Sequence, residues 1–265
     1  MPPRFGNRNA AKLEPSARHP GKREICNNYR APKGVDLERG WHVQIQGDWH
    51  WKLDVYPGDT VPIIRRAQNG GRECVMARFG LVPWWSKTER VGWSTMNARS
   101  ETAAEKPAFR DAFACRQFCL IPAWEIFEPY YAPGAKRSTR WGIERADGTA
   151  LGICGLWDRW KSPTGEVVTS FAMLTINCDE HPLLMRFHKH FDEKGEPNER
   201  RTPALLREED YDHWLEASLD DAPTFFNTFG SDGLQAHAAP VVPPPRPSAA
   251  PPTGWSAESR QRELL

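Results

Sequence analysis

The sequence predicts an α+β fold: a strand-rich single domain, mostly antiparallel sheet or barrel-like, with a few peripheral helices. Three observations carry this. Short runs rich in Val, Ile, Phe and Trp recur through the middle of the chain, some alternating in part, each bounded by Gly, Pro or charged turns. Only two stretches carry helical signals. Both ends are too polar or too rich in proline to build a core. The 265 residues can bury one sizeable core, so one domain with tails is expected.

The opening "MPPRFGNRNAAKLEPSARHPGKRE" has few apolar residues, no periodicity and an excess of Arg and Lys, so residues 1–25 read as a disordered basic leader. Pro2, Pro3, Pro15 and Pro20 argue against the amphipathic helix of a mitochondrial transit peptide. The ordered domain is expected from Cys26 to Phe229. Within it, "ECVMARFGLVP", "FCLIPAWEIFEPYY", "TRWGIER", "ALGICGLWDRW" and "EVVTSFAMLTIN" read as strands. "SETAAEKPAFRDAFACR" reads as helix with a break near Pro107. "REEDYDHWLEAS" opens with acids, which suit a helix N-terminus, and keeps Tyr211, Trp214 and Leu215 at helical spacing. Residues 230–265, ending in "VVPPPRPSAAPPTGWSAESRQRELL", read as a disordered Pro- and Ala-rich tail.

Lys+Arg 35 against Asp+Glu 34 leaves a net charge of +1, so a basic site for nucleic acid has to be local. No apolar run approaches the roughly 18 residues of a membrane span, and the N-terminus lacks the hydrophobic region of a secretory signal. A cytoplasmic protein without a membrane partner is expected. The cysteines at 26, 74, 115, 119, 154 and 178 form no C-x-x-C pair, so neither a disulfide framework nor a zinc site is expected. Most of them read as reduced, buried, small apolar residues.

Several constellations could carry chemistry. In "FGLVPWWSK", adjacent residues of a strand face opposite ways, so Trp84 and Trp85 cannot both pack into one core face. One of them would meet solvent or a ligand, where stacking on an unpaired base is worth roughly 1–3 kcal/mol; burial of both under loops is the other reading. Asn97 and Arg99 in "MNARSET", with Lys106 and Arg110 in "KPAFRDAF", suit phosphates and an extruded sugar, or equally a helix cap and solvated charges. In "AWEIFEPYY", Glu125 and Glu128 point to opposite faces of a strand, so at most one is expected in the core or an enclosed site. A carboxylate among Phe127, Tyr130 and Tyr131 would be poorly hydrated and suited to proton transfer; a surface glutamate on an edge strand is the alternative. His188 and His190 in "MRFHKHFDEK" share a face if extended, but lack a third ligand at a diagnostic spacing, so a single catalytic histidine is favoured over a metal. "LTINCDEHPLL" places Thr175, Asn177 and His181 at a strand end.

No one of these motifs decides the function, but their order does. A "C-N-x-Y" start followed by "FGLVPWW", "NARSET", "KPAFRDAF", "CLIPAWEIFEP", "LTINCDEHPLLMRFHK" and "RRTPALL" resembles the SRAP family, the SOS response-associated peptidases, from Cys26 to about Trp214. The resemblance implies a compact strand-rich domain that binds single-stranded DNA or its junction with duplex and links covalently to abasic sites; monomeric action is the default expectation. The family nucleophile is a cysteine that becomes residue one after methionine removal. By motif, Cys26 resembles that nucleophile, Asn97 the residue that positions the site, Glu128 the active carboxylate and His188 the histidine acting on the sugar. Arg99, Trp84, Trp85, Arg110, Thr175 and Arg201 resemble the DNA-contacting set, with Thr202 where the family's Arg-Met-Pro motif has Met. No metal or organic cofactor is implied. AP-lyase and self-processing peptidase activities belong to the same expectation.

The departure is that Cys26 is internal. Its nitrogen is an amide, and its thiol alone would give only a reversible hemithioacetal with an aldehyde. Durable capture requires loss of residues 1–25, through initiation at the Ile25 codon or cleavage between Ile25 and Cys26. A copy that keeps only DNA binding is the third reading. Two rival functions remain: a thiol peptidase acting in trans, with His188 as base and Asn97 or Glu128 as orienter, and a non-covalent reader of modified bases built on Trp84 and Trp85.

Overall fold

All five apolar runs form strands. The computed structural model describes residues 28–89, 92–191 and 194–241. In chain order the elements are β1 (Asn28–Arg30), α1 (Gly34–Trp41), β2 (Asp54–Val55), β3 (Thr60–Arg66), β4 (Arg72–Phe79), α2 (Gly92–Thr95), β5 (Asn97–Arg99), α3 (Arg110–Ala114), β6 (Phe118–Ala123), β7 (Glu125–Tyr130), β8 (Thr139–Arg145), β9 (Leu151–Lys161), β10 (Val167–Asn177), β11 (Arg201–Pro203), β12 (Leu205–Leu206), α4 (Tyr211–Glu216) and β13 (Leu234–Ala238). Cys26 and the leader, and the tail beyond residue 241, lie outside the described residues.

Strands β10, β4, β3, β6 and β9 pair in that order, and β9 pairs back onto β10, so the ring closes into a five-stranded barrel. The β10–β4 step is parallel and the others are antiparallel. A second sheet, in the order β13-β8-β7-β1-β2, packs against it. Alternation along the barrel strands serves two cores. Ile63, Ile121, Ile153, Phe171 and Met173 share one core with Tyr29, Ile126 and Ile143 of the second sheet. Their neighbours Ile64, Leu120, Cys154, Ala172 and Leu174 share the other with Phe113, Tyr211 and Trp214 of the helices. Burial on both faces explains why these strands read as nearly continuous apolar runs.

The helix α4 is pinned through its aromatics. The Trp214 indole donates to the Cys119 carbonyl at 2.9 Å and stacks on Phe118 at 4.4 Å between ring centres. The Tyr211 ring lies between Trp41, stacked at 4.5 Å, and the β9 backbone at Gly152. A Cβ at Gly152 would sit 2.3 Å from that ring. Gly152→Ala is therefore expected to lower unfolding free energy by about 1–3 kcal/mol through overpacking, measured by urea denaturation.

Two expectations are corrected. The helix expected over residues 100–116 is only α3, Arg110–Ala114, preceded by successive turns. Pro107 has no N–H to donate, so the regular helix starts after it. The segment 230–265 is not all tail: β13 pairs with β8 from Leu234↔Arg145 to Ala238↔Trp141. Its "LQAHA" has little apolar content because it is an edge strand with one end in solvent.

Cys74, Cys119, Cys154 and Cys178 are buried and Cys115 is exposed, all five as free thiols. Burial pushes Cys74 and Cys178 up to about 12. Iodoacetamide applied to the native protein is expected to modify Cys115 alone among these five, with the other four reacting only after unfolding, read by peptide mass spectrometry. Among the described residues no helix is long and apolar enough to cross a membrane.

Candidate active site

The centre of the site is a buried carboxylate–imidazole pair. β7 lies between β1 and β8, so Glu128 comes from an inner strand of the second sheet. After a 3₁₀ turn at Leu184–Arg186, the chain docks along the end of β7: Phe187 bridges to Tyr130, and the His188 N–H donates to the Pro129 carbonyl at 2.8 Å. His188 then adopts a left-handed backbone, φ 66°. Such a conformation is uncommon outside glycine and is held here by the docking on either side of it. It brings Nε2 to 2.9 Å from Glu128 Oε2, with the two side chains 4% and 2% exposed. Phe187 is buried against Tyr130 and Trp141, both at 6.2 Å between ring centres, so the segment carrying His188 is anchored by packing.

Cys178 follows β10, and its thiol is raised first by burial and then by the negative charge of Glu128. It therefore stays protonated at neutral pH and is no nucleophile. His190, by contrast, faces away into a different contact, its Nδ1 3.0 Å from Arg200 Nη1. The two histidines of "HKH" thus do not converge on a common point.

Glu125 corrects the expectation that only one of the two glutamates is enclosed. It is also buried, 4% exposed, with Oε1 2.7 Å from Arg30 Nη1 and Oε2 3.2 Å from His237 Nε2. Burial raises its pKa and the Arg30 charge opposes the rise. Both faces of β7 are covered, so opposite orientation does not imply exposure. Glu125, Glu144 and His237 place ligand atoms within 4.8 Å of one another and are the group among the described residues that could hold a cation, but Arg30 already balances Glu125.

β10 organises the remaining residues. Beyond the barrel ring its end pairs in parallel with β5, Met173↔Asn97 to Thr175↔Arg99, and in antiparallel with β11, Asn177↔Arg201 to Thr175↔Pro203. Arg201 is buried: Nε donates to the Thr175 hydroxyl at 3.2 Å, Nη2 to the Thr175 carbonyl at 2.6 Å and to Glu101 at 2.6 Å, and Nη1 to Glu199. Glu199 also accepts from Arg99 Nη1 at 2.7 Å, and these arginines hold its carboxyl below the usual range. Thr175 and Arg201 thus tie β10 to β11, while Arg99 stands 41% exposed at the edge of this network. Glu101 and Glu199 had no sequence signal of their own, since their role depends on chain crossings about 100 residues apart.

Trp84 and Trp85 are both exposed, at 61% and 49%. They sit in a turn rather than a strand, so the alternation argument does not apply. Trp84 Nε1 donates to Asp111 Oδ2 at 2.7 Å and Trp85 Nε1 to the Pro107 carbonyl at 3.3 Å. Ring edges are tethered while surface area stays free. Arg110 at the start of α3 is exposed, 3.5 Å from Asp111. Asn97 opens β5 half-buried.

A closed barrel backed by a second sheet, with a glutamate–histidine pair buried where the histidine segment docks on that sheet, defines a strand-rich domain with an enclosed carboxylate–imidazole pair. The chain belongs to the SRAP family, described as SOS response associated peptidase, which it matches over residues 25–241. It is 26% identical over 196 residues to the abasic site processing protein YoqW of Bacillus subtilis (strain 168), covering 72% of this chain and 80% of that one. Similarity extends to the abasic site processing protein HMCES of Mus musculus, 26% identical over 138 residues, 42% of this chain and 39% of that one. A crystal structure of a protein from Bordetella bronchiseptica superposes with a TM-score of 0.72 at 32% identity, covering 82% of this chain and 100% of that one. A protein from Bacteroides thetaiotaomicron, at 22% identity and a TM-score of 0.66, shares the fold over 81% of this chain and 91% of that one.

Proposed function

We propose that this protein processes abasic sites by covalent capture in single-stranded DNA, with Cys26 as an N-terminal residue. The observation that carries the reading is the buried Glu128–His188 pair, Nε2 to Oε2 2.9 Å, on a strand whose Phe127 pairs with Asn28. Two residues of chain, each spanning at most about 3.6 Å, link Asn28 to Cys26. The described chain begins at Asn28, on the strand paired with the one that carries Glu128. The family match begins at residue 25, one position before Cys26.

The ring-opened sugar offers an aldehyde at C1′. The Cys26 amine adds to it, and loss of one water gives an imine. The thiol then adds to the imine carbon and its proton passes to the nitrogen, closing a five-membered thiazolidine. Ring opening and water loss both need a proton moved, and His188 and Glu128 are the enclosed groups for it. Asn97 orients the amine or the sugar hydroxyls. Elimination of the 3′ phosphate from the imine would give AP-lyase activity, and thiazolidine closure competes with it. Trp84 and Trp85 offer exposed ring faces for bases of the strand, with Arg99 and Arg110 near phosphates.

The free amine arises by initiation at the Ile25 codon or by cleavage of the Ile25–Cys26 bond, the second being a self-processing peptidase step. Intact mass of the protein from its native host distinguishes a chain beginning at Cys26 from one that retains the leader. On a denaturing gel, protein beginning at Cys26 should shift an abasic single-stranded oligonucleotide and leave an intact one unshifted. Peptide turnover without a shift would support a thiol peptidase, and affinity without either would support a base reader. The setting is damaged chromosomal DNA in the cytoplasm.

A further inference from the structure

The two segments that carry Glu128 and His188 continue, side by side, into the walls of one groove. β7 ends at Tyr130 and its loop supplies Tyr131 to Lys136, while the residues after His188 supply Lys189, His190 and Phe191. The groove has a volume of about 490 Å³, within the range of small-ligand pockets, about 300–1,000 Å³. It begins where the Glu128–His188 site ends, through the Tyr130–Phe187 bridge and the His188 N–H bond to Pro129.

Its surface combines two chemistries. Phe191 is 61% exposed, a large aromatic ring left in solvent. The Tyr131 ring carries the Lys189 ammonium 5.5 Å from its centre, and Lys136 adds a second cation. Among the described lining residues there is no carboxylate. A planar aromatic face beside two ammonium groups matches a ligand that carries a base and a phosphate together.

We infer that this groove holds the nucleotide next to the abasic residue, with Phe191 stacking on its base and Lys136 and Lys189 holding its phosphate. The inference rests on the reading of the protein as a binder of abasic single-stranded DNA. An abasic residue has no base to stack, so its own sugar is held only through its neighbours. A platform joined to the His188 segment would fix the C1′ carbon relative to the reacting groups through the adjoining base. Phe191, Lys136 and Lys189 are thus positioning residues.

The test uses protein beginning at Cys26 and three labelled oligonucleotides with the abasic residue internal, at the 5′ end or at the 3′ end, followed by anisotropy and by adduct formation. Phe191→Ala should raise the half-saturating concentration of the internal substrate about tenfold, the stacking of one base, with the effect falling there rather than on the rate at saturation. Removing the flanking nucleotide on one side should bring the unaltered protein to the level of that variant, and removal on the other side should leave the difference between them. Lys136→Ala with Lys189→Ala should reduce the slope of log affinity against log salt by about 0.7, the one single-strand phosphate charge they hold together. Folded variants that bind all three substrates as the unaltered protein does would overturn the inference. So would displacement by a Glu-Trp repeat peptide at lower concentration than by an intact oligonucleotide. Absence of any adduct with the unaltered protein would count against covalent capture, and the same variants on intact oligonucleotides would still decide the groove.

Discussion

Cys26→Ala, in a chain that begins at that residue, is expected to reduce the heat-stable adduct with abasic DNA to background on a denaturing gel. The amine of alanine still condenses with the aldehyde, so a species trapped by borohydride should persist while the untreated adduct disappears. Cys26→Ser should behave in the same way, since a hydroxyl is a far weaker nucleophile than a thiol toward the imine. No other described cysteine can substitute. Cys178, the thiol that senses the Glu128 charge, is pushed up to about 12 by burial and lies within the chain, without an amine of its own. Cys115 is exposed at the end of α3 but likewise carries an amide nitrogen. The 265-residue chain with its leader intact should give the background level of the alanine variant. An untreated adduct of equal yield from the intact leader-bearing chain would remove the amine from the mechanism.

The residues that were legible in the sequence are those whose surroundings are local. Barrel strands such as β6 and β10 announced themselves because both their faces are buried, at Leu120 and Ile121 or at Ala172 and Met173. Glu128 and His188 were singled out through the order of motifs, and the contact between them requires Phe187 to dock on β7 about sixty residues away, which no spacing reveals. The left-handed backbone at His188 is equally silent, since the residue type does not ask for it. Glu125 was misjudged because strand alternation says which way a side chain points and not whether something covers it there; Arg30 and His237 do. Trp84 and Trp85 were read with strand geometry but stand in a turn, and β13 was hidden because an edge strand of "LQAHA" draws its stability from β8 rather than from its own apolar content.

Glu128→Gln separates chemistry from architecture at the centre of the site. The amide has nearly the volume of the carboxylate, so β7 and the histidine segment, docked through the Phe187–Tyr130 bridge and the His188 N–H bond to Pro129, should keep their places. It cannot exchange a proton with the imidazole. Adduct formation at saturating DNA should slow by about 10²–10⁴-fold, the usual contribution of a positioned acid–base group. Glu128→Ala would confound this, because removing one side of a buried ion pair costs about 3–5 kcal/mol, and the loss of rate would mix with loss of fold. His188→Gln should slow the reaction comparably. If the pair acts as one unit, the double variant is no slower than the worse single one, as found for groups that share a step. Multiplication of the two losses would mean that Glu128 and His188 contribute independently to one rate-limiting step, whereas groups serving successive steps, ring opening for one and imine formation for the other, would also leave the double variant near the worse single one. Borohydride trapping over time assigns them, since a variant blocked before the imine yields no trapped species and one blocked after it accumulates the trapped species at the unaltered rate.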